Sequence, residues 1–173
     1  SVADGKTLTW SGQGWSTTAG AAVFTKTGNG TWNIGAQGNQ TTGTFTLNGG
    51  TVIVSGNLGL GGTNSSLVLQ SGTINSSGSR AFTYNGGFTI SGNFGFQGTG
   101  NAQWTSGMAI GNATRTITND TSSGSRQFVG VISGGAGAGL TFTGTGLGQV
   151  YVGNVANTFS GPVTLAAGEV VFN

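Results

Sequence analysis

The segment Phe45-Thr-Leu-Asn-Gly-Gly-Thr-Val-Ile-Val-Ser-Gly-Asn-Leu-Gly-Leu60 is written a second time, one residue shorter, as Phe82-Thr-Tyr-Asn-Gly-Gly-Phe-Thr-Ile-Ser-Gly-Asn-Phe-Gly-Phe96. At its centre is a smaller unit: an apolar residue, two small or polar residues, a Gly and one further residue, after which strand-like sequence resumes. Leu47-Asn-Gly-Gly-Thr-Val52 has this form, as do Leu69-Gln-Ser-Gly-Thr-Ile74, Tyr84-Asn-Gly-Gly-Phe-Thr89, Trp104-Thr-Ser-Gly-Met-Ala109 and Leu165-Ala-Ala-Gly-Glu-Val170. Each reads as a corner. An alternating strand delivers an apolar side chain inward, two small residues turn the chain, and a Gly takes the positive φ that a Cβ would disfavour. Repeated corners between short strands, with no helix signals, suit a chain that winds into a solenoid whose turns stack through backbone hydrogen bonds.

The strands between the corners carry apolar residues two apart, which places both on one face. Such pairs run from Trp32/Ile34, Phe45/Leu47, Val52/Val54, Leu58/Leu60 and Leu67/Leu69 through Phe82/Tyr84, Phe88/Ile90, Phe94/Phe96 and Met108/Ile110. They resume at Leu140/Phe142, Val150/Val152, Val163/Leu165 and Val170/Phe172. Successive corners lie 22, 15 and 20 residues apart, which predicts rungs of about 20 residues. The expectation is an all-β fold, a single parallel β-solenoid of about eight rungs, ~35–40 Å long at ~4.8 Å between stacked strands. Residues 1–173 form one domain, with Ser1–Gly20 as a first rung or cap in which Trp10 and Trp15 cover an open end. Arg115–Arg126, the most polar stretch, and Gly134–Gly139 are candidate loops or places where the rung length changes, and Pro162 opens a strand, where its missing N–H is tolerated.

Composition narrows the chemistry. The 37 Gly and the 5% of charged residues are far from average, but hydrophobic residues reach 35% and fall at alternating positions, so order rather than low-complexity disorder is expected. The net charge of +2 rests on Lys6, Lys26, Arg80, Arg115 and Arg126 against three acids. These cations are scattered, whereas phosphate recognition needs a stripe of them; nucleic acid is not an expected partner. Without Cys or His there is no disulfide, thiol nucleophile, Ser-His pair or ordinary zinc site to invoke. The acids Asp4, Asp120 and Glu169 stand too far apart in sequence to suggest a glycosidase pair or a calcium cage. Gly134-Gly-Ala-Gly-Ala-Gly139 lacks the Lys-Ser/Thr and helix of a phosphate loop. No enzyme activity, catalytic residue, metal or cofactor is expected, and no run is long enough for a transmembrane helix. Six Asn-x-Ser/Thr sequons begin at Asn29, Asn39, Asn64, Asn75, Asn112 and Asn119; in so Thr- and Ser-rich a chain they read as surface loops. Trp32 and Trp104 sit at inward phase and read as core.

Phe24-Thr-Lys-Thr-Gly-Asn-Gly-Thr-Trp-Asn-Ile34 followed by Gly43-Thr-Phe-Thr-Leu-Asn-Gly-Gly-Thr-Val52 resembles the autotransporter-associated β-strand repeat of bacterial surface proteins. A second copy runs Leu140-Thr-Phe-Thr-Gly-Thr-Gly146, Gln149-Val-Tyr-Val152, Asn157-Thr-Phe-Ser-Gly161 and Leu165-Ala-Ala-Gly168, with Phe142 where the first has Lys26. The two copies cover a little over a third of the chain. The resemblance implies a right-handed parallel β-helix, secretion from a bacterium and a surface or extracellular role, and it implies no catalytic residues. A start at Ser1 fits a mature exported chain after signal-peptide removal, or a fragment.

Two functions follow as expectations. A solenoid leaves unpaired backbone groups and an open core at its ends, and Glu169-Val-Val-Phe-Asn173 carries no capping helix. The first expectation is therefore an extracellular structural subunit that associates with itself head-to-tail into a filament or matrix. The alternative is an adhesin passenger that holds polysaccharide or a host surface on its polar Thr/Asn/Gln face.

Overall fold

The computed structural model describes residues 1–11, 22–35, 43–56, 60, 64–153 and 156–173, and among them every regular element is a strand. β1 (Thr7–Trp10), β2 (Ala22–Thr27) and β3 (Thr31–Ile34) open the stack. β4 (Gly43–Val54) and β5 (Ser66–Ser76) each run on round a corner, and β6 (Arg80–Phe82) completes the turn. Three short strands make each following turn: β7 (Phe88–Ile90), β8 (Phe94–Gly98) and β9 (Ala102–Trp104); β10 (Met108–Ala109), β11 (Arg115–Asn119) and β12 (Ser125–Phe128); β13 (Ile132–Ser133), β14 (Leu140–Thr143) and β15 (Gln149–Val152). β16 (Val163–Leu165) and β17 (Val170–Phe172) form the last, partial turn.

All pairings are parallel, and they build a β-solenoid with three walls. The first wall stacks β2, the leading halves of β4 and β5, β7, β10 and β13. The second stacks β1, β3, the trailing halves of β4 and β5, β8, β11, β14 and β16. The third stacks β6, β9, β12, β15 and β17. The first wall has six layers among the described residues, so the body has about six turns with an extra strand at each end of the second wall, rather than eight full rungs.

The register explains the miscount. Phe45, Leu67 and Phe88 share one column, and steps along the stack run from 20 residues, Trp32 to Val52, to 25, Ile117 to Phe142. The twice-written text is therefore not one structural repeat seen twice. Phe45 starts a unit on the first wall that turns onto the second, while Phe82 starts one on the third wall that turns onto the first. The corner unit likewise serves all three bends, which is why its spacings were irregular. The two repeat-like copies also differ in place, since Lys26 lies on the first wall and Phe142 on the second.

The corner glycines obey the steric argument with one exception. Gly50, Gly72, Gly87 and Gly168 have positive φ, whereas Gly107 does not. At the stacked corners of β4 and β5 the need is double: Gly72 has φ +97°, and a Cβ on it would lie 2.6 Å from the carbonyl oxygen of Gly50 one turn below. Here glycine gives both the left-handed conformation and the close approach of one turn to the next.

Alternation carries over into burial. Every described residue of the predicted pairs up to Val152 is buried; Leu58 lies outside the described residues. Trp104 is the hub of the core, with ring centroids 5.3 Å from Phe82, 5.5 Å from Phe128 and 5.0 Å from Phe96. The polar stretch Arg115–Arg126, expected as a loop or as a place where the rung length changes, carries β11 and the first residues of β12, with Ile117 and Arg126 facing inward, and the step from β11 to β14 is the long one of 25 residues. Residues 134–139 do form a turn between β13 and β14.

Candidate functional site

Four of the five cations, Lys26, Arg80, Arg115 and Arg126, donate to the backbone of the coil. Lys26 is buried at inward phase on β2, and its Nζ donates to the carbonyls of Thr27 (3.1 Å), Gly28 (2.8 Å) and Gly49 (2.9 Å). These are corner carbonyls of two successive turns, and the loss of water around the ammonium lowers its pKa. Arg126 is wholly buried between Ala102 and Val150 in its column. Its guanidinium donates to Gly100 O, to Ser125 O (3.1 Å) and to Gln97 O (3.0 Å), and lies 5.8 Å from the centroid of Phe96. Burial pushes its pKa down to about 10, so it stays charged at neutral pH. Arg80 donates to Ser55 O and Ser79 O, and Arg115 Nε to Ile110 O (3.1 Å). A charge-assisted bond to a carbonyl inside the coil satisfies an acceptor that the stacked strands do not reach.

The acids are separate. Asp4 accepts from the N–H of Gly5 ahead of β1, Asp120 follows β11, and Glu169 lies between β16 and β17, accepting from Gln149 Nε2 at 2.7 Å. Among the described residues no three of Asp, Glu, His or Cys gather where they could hold a metal ion. Asp120 has a structural neighbour set: its Oδ1 accepts the N–H of Thr145 on the next turn (2.9 Å). Asn93 accepts that of Thr116 (2.8 Å), Asn101 that of Ser125 (2.8 Å) and Asn157 that of Ile132 (2.7 Å). An Asx oxygen at a bend thus repeatedly ties one turn to a neighbour.

Of the sequons, Asn29, Asn64 and Asn112 are exposed, Asn75 is half-buried, and Asn39 lies outside the described residues. Asn119 is buried and donates from Nδ2 to Gly148 O while accepting from Thr121 Oγ1, so this sequon is closed to a sugar.

The two ends of the coil differ from everything between them. On the last turn, Val163 and Leu165 stand in column with Leu140 and Phe142, and Val170 and Phe172 with Val150 and Val152. They keep the inward phase, yet Val163, Leu165 and Phe172 are exposed and Val170 is half-buried. Among the described residues β16 and β17 each pair on one side only. At the opposite end β1 is, among the described residues, the outermost strand of the second wall. Its inward-phase residues are Leu8, exposed, and Trp10, half-buried 6.5 Å from Trp32. Trp15 lies outside the described residues. Each end therefore presents apolar side chains beside an edge strand on the second wall. Among the described residues there is no helix over either end and none long enough to cross a membrane.

No family model, no curated protein and no solved structure matches the chain.

Proposed function

We propose that this chain is an extracellular structural protein whose solenoids stack head-to-tail into a filament or surface matrix, without catalysis. The observation that carries the proposal is the uncovered last turn. Val163 and Leu165 on β16 have the same phase as Leu8 and Trp10 on β1, and both strands belong to the second wall. Traced through the register, Leu165 stands two residues short of Leu8 along the wall, so β16 of one copy set against β1 of another with a slide of four residues would pair Val163 with Leu8 and Leu165 with Trp10 and cover all four side chains. Each such large apolar residue contributes roughly 1.5–3 kcal/mol when fully buried. Such a contact is heterologous and does not close on itself, so it propagates. With 5% charged residues, little self-repulsion opposes it. The extracellular setting is supported by the resemblance of Phe24–Val52 to repeats of secreted surface proteins.

Negative-stain imaging and sedimentation of the purified chain test this reading. Fibres one solenoid wide are expected, and Leu165→Glu together with Phe172→Glu is expected to disperse them while the β circular dichroism is unchanged. Wild-type protein that stays monomeric at every concentration overturns it.

A further inference from the structure

The outer side of the third wall carries two adjoining clefts. A cleft of about 590 Å³ lies over β12 and β15, with Ser125, Gln127, Leu147, Gln149, Tyr151 and Glu169 in its lining. A second cleft, of about 350 Å³, is lined by Arg80, Ala81 and Gln103 and shares Asn101 and Gln127 with the first. The two form one groove across the stacked strands, along the axis of the coil. Its floor is set by the register: Gln103, Gln127 and Tyr151 stand in a single outward column, with Ser125 and Gln149 paired beside it. These residues come from successive turns, so their spacing is that of stacked strands, ~4.8 Å.

The polar groups of the groove are held in place by one another. Gln103 Nε2 donates to Gln127 Oε1 at 3.0 Å, and Gln127 Nε2 donates to Ser125 Oγ at 2.9 Å. Gln149 Nε2 donates to Glu169 Oε1, and the Tyr151 hydroxyl donates to Gln149 Oε1. A primary amide has two N–H donors and two lone pairs, so each keeps capacity for a ligand after these bonds. Beside them lie the half-exposed ring of Tyr151 and Leu147, the latter 84% exposed. No part of the coil requires a leucine there.

We infer that this groove binds an uncharged polysaccharide laid along the solenoid axis. Sugar hydroxyls both donate and accept, which matches fixed amides and hydroxyls that do the same. The C–H face of a pyranose ring matches an aromatic or aliphatic surface with a polar rim. Polyanions fit poorly: Glu169 is the acid at one end, and the Arg80 guanidinium at the other already donates to Ser55 and Ser79 carbonyls. An added peptide strand finds no edge, because the strands under the groove, β9, β12 and β15, are paired on both sides. This inference goes beyond the filament and does not depend on it.

Affinity electrophoresis in gels containing soluble xylan, hydroxyethyl-cellulose, mannan or dextran, with alginate as the anionic control, tests it. At least one neutral polymer is expected to retard the protein, with at least a tenfold weaker dissociation constant for Tyr151→Ala and for Gln127→Ala. Leu147→Ser, at a position too exposed to affect folding, is expected to weaken binding several-fold. The same binding is expected of the dispersed Leu165→Glu, Phe172→Glu protein, which separates this test from that of assembly. Retardation by none of the neutral polymers, by alginate alone, or undiminished in all three groove variants overturns the proposal.

Discussion

Phe128 and Phe172 occupy the same column of the third wall, with Val152 between them, yet Phe128 is 2% exposed and Phe172 is 57% exposed. Both follow an alternating strand, and both point to the interior. The difference comes from their neighbours: Phe128 has Trp104 stacked 5.5 Å away on one side and Val152 on the other, while Phe172 has a turn on one side only. In a solenoid the core is made between turns and not within one. The middle of the coil is therefore stable by its own contacts, and an outermost turn acquires its core only from whatever stacks on it.

The largest expected effects lie in the covered turns. Phe128→Ala should cost about 3–5 kcal/mol, because it removes a ring from a close-packed column and leaves a cavity against Trp104. In dispersed protein Phe172→Ala should cost less than about 1 kcal/mol, since most of that ring is already in water. Urea denaturation of the two variants measures the contrast. Equal losses would mean that the last turn is covered in the dispersed chain, and would remove the reason for stacking.

A second contrast within the covered turns concerns Arg126. Arg126→Ala should cost about 3 kcal/mol, because the carbonyls of Gly100 and Gln97 lose a buried donor and a hollow opens beside Phe96. Arg126→Met fills most of the space but donates nothing, so it should fall between Arg126→Ala and wild type in the same denaturation experiment. A methionine variant as stable as wild type would show that those hydrogen bonds give no net stability.

The same residue shows where the sequence could and could not be read. Apolar pairs two apart, such as Phe88/Ile90 and Val150/Val152, identified strand, phase and core, because period-two burial is a local property. Arg126 concealed a strand, since a cation at inward phase reads as loop until a small neighbour, Ala102, and carbonyls from another turn are seen to accommodate it. The period of the coil was hidden for a related reason. Corners on different walls share one chemistry, so Phe45 and Phe82 looked equivalent although Phe45 stacks under Leu67. The groove was less legible still: Gln103, Gln127 and Tyr151 lie 24 residues apart, and nothing local marks outward-facing amides from three turns as one surface. The inward phase of the last turn was legible as well, because Val170 and Phe172 continue the alternation of Val150/Val152.

The smallest effect separates the chain's two tyrosines, one from each kind of environment. Tyr151 lies on the outer face, with its hydroxyl bonded to Gln149, whereas Tyr84 is buried among Phe82 and Phe88 and its hydroxyl has no hydrogen-bond partner. Tyr84→Phe removes an unsatisfied buried group and should stabilise the protein by about 1 kcal/mol at neutral pH. Burial also raises the pKa of Tyr84 above the ordinary phenol value, which fixes the sign of a pH effect. Above pH ~10 the unfolded chain releases this proton while the folded chain retains it. The folded state then binds more protons, and its stability falls by about 1.4 kcal/mol per pH unit from this group. Wild type should lose about 1 kcal/mol more than Tyr84→Phe between about pH 10 and about pH 11, since the unfolded phenol is only half ionised at the start of that interval, as measured by urea midpoints at each pH. Parallel pH profiles for the two proteins would show that Tyr84 ionises in the folded coil, and that the covered turns admit water where Phe128 is taken to exclude it.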